Sequence, residues 1–239
     1  MRIPCLWRLI LGLGFATTVA GAFTLVPMSV TFAPKGKGVA QTFRVANESS
    51  NRVAFEIRVL TWDLDADGKE TNSPAAGLFT VFPPQGAIAP GKSQMVRVVW
   101  RGPSNPEGER AFRLVAEELP VNFTPETNKV QIKFQLRYVA AVYVRPPKAR
   151  PTLEATAFTR SGPHTWLLTV VNSGQAHQNL VDPTLTLTDA AGRSREVAAE
   201  VLRPLAGANV LAGHTRRFVL TLPADFSEPS YRARLTAHE

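Results

Sequence analysis

Apolar residues alternate with polar ones over most of the chain, and the longest alternation lies near its middle. From Val130 to Val144 every even-numbered residue is apolar: Val130, Ile132, Phe134, Leu136, Tyr138, Ala140, Val142 and Val144. The odd positions begin polar, at Gln131, Lys133, Gln135 and Arg137, and then turn apolar at Val139, Ala141 and Tyr143. A period of two places alternate side chains on one face of a β-strand. This strand is far longer than the usual five or six residues.

Shorter runs of the same kind surround it. "SVTFA", "VAQTFRVANESSN", "RVAFEIRVLTW", "KSQMVRVVW" and "RAFRLVAEELPV" precede it, separated by turns such as Pro90-Gly91. "TLEATAFTR", "TWLLTVVNSG", "LTLTDAAGRS", "HTRRFVLTLP" and "SYRARLTAHE" follow. No segment sustains an apolar period of 3.6. Strands at intervals of about 8–12 residues with Gly, Pro and Asn between them predict an all-β protein built of antiparallel sandwiches. Arg145-Pro146-Pro147, with Pro151 beyond, lacks the N–H groups that a ladder needs, so the sheet must stop there. The pattern therefore predicts two immunoglobulin-like β-sandwich domains, 23–146 and 147–239.

The N-terminus changes the compartment. Arg2 and Arg8 flank an apolar run that ends in Ala20-Gly21-Ala22, the arrangement of a secretory signal peptide over 1–22. The run is too short to span a membrane, so export without membrane insertion is expected. The single cysteine, Cys5, lies inside this segment, and the mature chain is expected to fold without disulfides on burial alone. The formal net charge of +8 falls by two with the loss of Arg2 and Arg8. No basic block with interleaved aromatics points to nucleic acid, and an acidic partner, or one presenting a carboxylate, fits better.

Candidate chemistry is sparse. Asp63, Asp65, Asp67 and Gly68 match the start of a calcium-binding loop, but the twelfth position, which needs a bidentate Glu, is Pro74. Asp67-Gly68 as a hairpin turn explains the same residues. His164, His177, His214 and His238 are scattered without metal-ligand spacing and are expected at the surface. No nucleophile elbow, phosphate loop or placeable triad occurs, so the chain is expected to be no enzyme and to need no cofactor or metal. A long apolar edge strand, by contrast, is an aggregation hazard unless something pairs with it. That suggests β-augmentation of a partner.

The Pro-Gly turn leading into "KSQMVRVVW", the "FRLVAEELP" strand, the polar loop "NFTPETNK" and the alternating strand closing on Arg145-Pro146 resemble the periplasmic chaperones of the chaperone–usher pathway. "EIRVLTWDLDADGKE" and "FQLRYVAAVYV" look most like its alternative, or archaic, branch. The resemblance implies two immunoglobulin-like domains at an angle. It also implies a periplasmic chaperone that lends a strand to a pilin lacking its own and delivers the pilin to an outer-membrane usher. The donor residues implied are Ile132, Phe134 and Leu136, with Val130 and Tyr138 as outer members. The family pattern anchors the pilin's C-terminal carboxylate on an Arg in the first strand and a Lys in the last, and those positions hold Ser29 and Ala141 here. Arg137 and Arg113 are the remaining candidate anchors, and Glu118 with Arg145 matches the ion pair that the family sets at its domain junction. Self-association would be one way for the free chaperone to cover its strand. From the residues alone, a secreted two-domain structural or adhesive protein, its long strand wholly in its own core, is the competing class.

Overall fold

A computed structural model of the chain describes residues 23–121 and 135–238. The expected signal peptide, 1–22, and the expected donor residues Val130, Ile132 and Phe134 lie outside the described residues. Strands dominate what is described. The first group comprises β1 (Phe23–Val26), β2 (Ser29–Phe32), β3 (Ala40–Asn47), β4 (Val53–Thr61), β5 (Asp63–Leu64), β6 (Glu70–Thr71), β7 (Phe79–Phe82), β8 (Gln85–Ile88), β9 (Ser93–Trp100), β10 (Arg110–Leu119) and β11 (Arg137–Val144). The second comprises β12 (Leu153–Arg160), β13 (Thr165–Asn172), β14 (Gln178–Asn179), β15 (Val181–Thr188), β16 (Ser194–Glu196), β17 (Asn209–Val210), β18 (Thr215–Thr221) and β19 (Arg232–His238).

The first group forms a four-stranded sheet, β1-β3-β9-β7, and a five-stranded sheet, β2-β11-β10-β4-β8. Every pairing in them is antiparallel except β2 with β11. The inward faces carry Phe23, Phe32, Phe43, Phe55 and Phe112, each essentially without exposure. Phe79 meets Phe32, Trp100 and Phe112 edge-on at centroid separations of 4.9–5.6 Å, geometry that favours aromatic pairs beyond their area. Strand β11 follows the alternation read from sequence. Ala140, Val142 and Val144 are fully buried in this core, and Val139, Ala141 and Tyr143 stand on the other face.

The second group builds its own core around Trp166, Leu168, Leu180, Leu185, Leu187 and Leu220, with sheets β12-β13-β18 and β16-β15-β19. Neither core contains a disulfide, and each is instead pinned by one buried asparagine. Asn47 donates to the carbonyls of Asn51 and Ile88 and accepts from Ser49. Asn172, fully buried, donates to the carbonyls of Ala176, Val210 and Leu211 and accepts from the N–H groups of Thr152 and Gly174. These side chains satisfy backbone groups where the chain leaves a strand, which burial would otherwise penalise.

Candidate functional site

The site grows from the outer face of the five-stranded sheet. Because β2 pairs with β11 and β11 with β10, Ser29, Ala141 and Arg113 fall in one row across three strands. Arg113 is the cation of that row. Its Nε donates to Glu70 Oε1 at 3.0 Å and its Nη2 to Glu70 Oε2 at 2.6 Å, while the guanidinium lies 3.4 Å from the centroid of the Trp62 ring. A bidentate fork stacked on an indole is held in one plane by two independent interactions. The hydrogen bond from Arg113 holds the Glu70 carboxyl below its usual range; partial burial opposes this, and Asn72 and the charges of Arg113 and Arg137 support it. Arg137, at the open end of β11, is exposed and stands opposite Glu117, which pairs with Arg58.

Glu70 reaches Arg113 from the β5–β6 hairpin, whose turn is made by Asp65, Asp67 and Gly68. Asp65 Oδ1 accepts the N–H groups of Asp67 and Lys69, and Gly68 takes φ +86°, a region that costs other residues strain. The hairpin reading of "DLDADG" is therefore correct, and among the described residues no cluster of His, Cys, Asp and Glu could hold a metal ion. The hairpin also grips the second sandwich. Ala66 O accepts the Arg217 N–H at 2.6 Å, Asp67 pairs with Arg217 at 2.6 Å, and Asp63 meets His214 Nε2 at 2.7 Å.

A second set of contacts between the sandwiches adjoins the first. Tyr143, Trp62 and Leu64 pack with Leu211 of the second sandwich. The Tyr143 ring stacks on His177 at 3.7 Å, and its hydroxyl accepts from Asn209 Nδ2 at 2.8 Å. Burial, and then the nearby Glu109 charge, push this hydroxyl up to about 12. Glu109 accepts from Arg145 Nε, from the His177 backbone N–H and from His177 Nδ1 at 2.6 Å. Burial alone would raise the Glu109 carboxyl, but His177 and Arg145 outweigh it and hold the group below its ordinary 4.5.

This corrects two expectations. The carboxylate partner of Arg145 is Glu109 and not Glu118. The antiparallel register sets Arg110 opposite Val144, so Arg145 leaves the sheet at the Glu109 end. Glu118 lies nine residues beyond Glu109, about 30 Å at 3.3 Å per residue, and falls on the core-facing parity of Phe112 and Leu114. His177 is also no surface histidine, its side chain being 9 % exposed between the two sandwiches. Nothing in the local sequence marks it, because its partners lie 34 and 68 positions away in the chain.

A model of the PapD N-terminal domain of pili and flagellar-assembly chaperones matches residues 24–150. The chain belongs to this chaperone family. Solved structures of chaperones share its fold. A chain of the CsuC–CsuE chaperone–tip adhesion subunit pre-assembly complex, from the archaic chaperone–usher Csu pili of Acinetobacter baumannii, is 18 % identical. That alignment covers 83 % of this chain and 90 % of that one, with a TM-score of 0.56. The class 5 fimbriae chaperone CfaA is 13 % identical over 91 % of this chain and 100 % of its own, with a TM-score of 0.58. The E. coli chaperone DraB is 20 % identical over 85 % and 87 %, with a TM-score of 0.53. No curated protein matches. The expected all-β fold of two immunoglobulin-like domains is thus correct. Among the described residues of this pilus chaperone no helix is long and apolar enough to cross a membrane.

Of the chaperone's expected donor residues, Leu136 and Tyr138 are described. Both are partly buried against the protein's own first core, Tyr138 with its ring 5.8 Å from that of Phe23. The ladder reaches Leu136, whose carbonyl accepts the Glu118 N–H at 2.9 Å. The alternation of 130–144 therefore enters the sandwich of this chaperone by Leu136.

Proposed function

We propose that this protein is an exported, periplasmic chaperone that caps pilin subunits by donor-strand complementation and hands them to an outer-membrane usher. Its signal peptide is 1–22, its pilin-binding domain 23–146 and its second domain 147–239. The observation that carries the reading is the family match over 24–150, which includes β10, β11 and the whole segment between them. A similar solved structure points the same way, being a chaperone–tip adhesion subunit pre-assembly complex. In this reading Val130, Ile132, Phe134, Leu136 and Tyr138 run along the pilin's open groove. Backbone hydrogen bonds fix the register, and each fully buried side chain contributes about 1.5–3 kcal/mol. Arg113, in the row of Ser29 and Ala141, takes the subunit's terminal carboxylate, with Arg137 as a second cation nearby. Capping of this kind needs no nucleotide, cofactor or metal and no catalysis.

Co-expression with the pilins of its own operon tests the reading. Wild type should carry a pilin through purification from the periplasm. Changing Ile132, Phe134 and Leu136 together to Ser should remove it while the free chaperone still folds. Absence of pilin from the wild type, or undiminished recovery with the triple variant, refutes the proposal.

A further inference from the structure

Arg113 faces a carboxylate of its own chain. Two of its N–H donors, on Nε and Nη2, point at Glu70, and among the described residues no acceptor lies on Nη1. Glu70 also feels the charge of Arg137, whose cross-strand neighbour on this face is Glu117. The strand that carries this carboxylate is held in place. Its hairpin is fixed to the second sandwich by the Ala66–Arg217, Asp67–Arg217 and Asp63–His214 contacts.

Resting on the reading of Arg113 as the carboxylate anchor, we propose that Glu70 is a built-in competitor that keeps this anchor weak. An incoming chain-terminal carboxylate meets a guanidinium whose Nε/Nη2 fork is already occupied, so it is left the Nη1 side and must share the cation with Glu70. It also meets an opposing charge a few ångströms away, which under water-like screening is worth about a tenfold loss of affinity. Because the hairpin is pinned, the attenuation is constant and is not a switch. A weak anchor suits a chaperone whose bound segment must later leave, since strand pairing can supply register and affinity while the terminus is readily given up.

The probes are N-acetyl-tyrosine and N-acetyl-tyrosinamide, which differ in the terminal carboxylate, titrated into the full mature chain and followed by the backbone amide resonances of residues 113 and 141. Wild type should prefer the acid weakly. Glu70→Gln should raise affinity for the acid about tenfold without changing that for the amide, the size expected from one nearby charge. Glu70→Ala, which removes the acceptor as well, should act in the same direction, and adding Arg113→Gln should abolish the gain. Acid affinity that is unchanged or lower in both Glu70 variants overturns the proposal. If Arg113→Gln leaves the wild-type acid preference intact, or wild type has none, the anchor assignment itself falls.

Discussion

Replacing Glu109 with alanine separates a structural junction from a decorative one. The carboxylate is 1 % exposed and accepts three hydrogen bonds, two from His177 and one from Arg145. Truncation strands the His177 backbone N–H, which costs about 1–3 kcal/mol when buried. It also removes the counter-charge of Arg145. Breaking a buried pair costs about 3–5 kcal/mol. The Arg145 side chain, however, is 30 % exposed and recovers water, so the low end applies and about 3 kcal/mol is expected for the whole change. Urea unfolding followed by tryptophan fluorescence reads it directly. With a slope of about 1–3 kcal/mol per molar, the first midpoint should fall by about 1–3 M. A fall below about 0.3 M, under 1 kcal/mol at these slopes, would refute the reasoning. The pH dependence supplies a second arm. Because the folded carboxyl lies below its ordinary 4.5, its contribution is present above that pH and is lost as pH falls through the folded value. Glu109→Gln should lack this part of the acid limb while keeping the shape of the side chain.

Two further outcomes follow from the same structure. Asn172→Ala should lower stability by about 3 kcal/mol or more, since several buried backbone groups lose their only side-chain partner; calorimetry should show the transition of the second sandwich falling by at least about 10 °C. Gly68→Ala should cost about 1–2 kcal/mol, because φ +86° is left-handed and strained for any side chain. The new Cβ would also sit 2.3 Å from Arg216 Nη2, but that flexible end can retreat. Faster amide exchange across Asp63–Thr71 than in wild type would register the loosened hairpin.

What was legible in the sequence is what depends on neighbours along the chain. Alternation in "VAAVYV" gave the faces of β11, because side chains of a strand point in turn to opposite sides whatever lies there. Asp67-Gly68 gave a hairpin, since one glycine supplies the positive φ that its turn requires. Pro146-Pro147 ended a sheet because proline has no N–H to donate. Absence of cysteine after residue 5 required cores large enough to stand on burial, and both are present.

Tertiary structure decided which charges meet. Motif likeness assigns Arg145 to Glu118, whereas strand register, which no local pattern records, delivers it to Glu109 and His177. Arg113 reads in sequence as one more strand arginine, and the docking of a hairpin more than forty positions away gives it a carboxylate and an indole. Alternation likewise states that Leu136 and Tyr138 share an apolar face but not whose core they enter; packing places both against this protein's own. Facing is set by the backbone of a single strand, while pairing is set by how sheets close and sandwiches dock, through contacts between residues far apart in the chain.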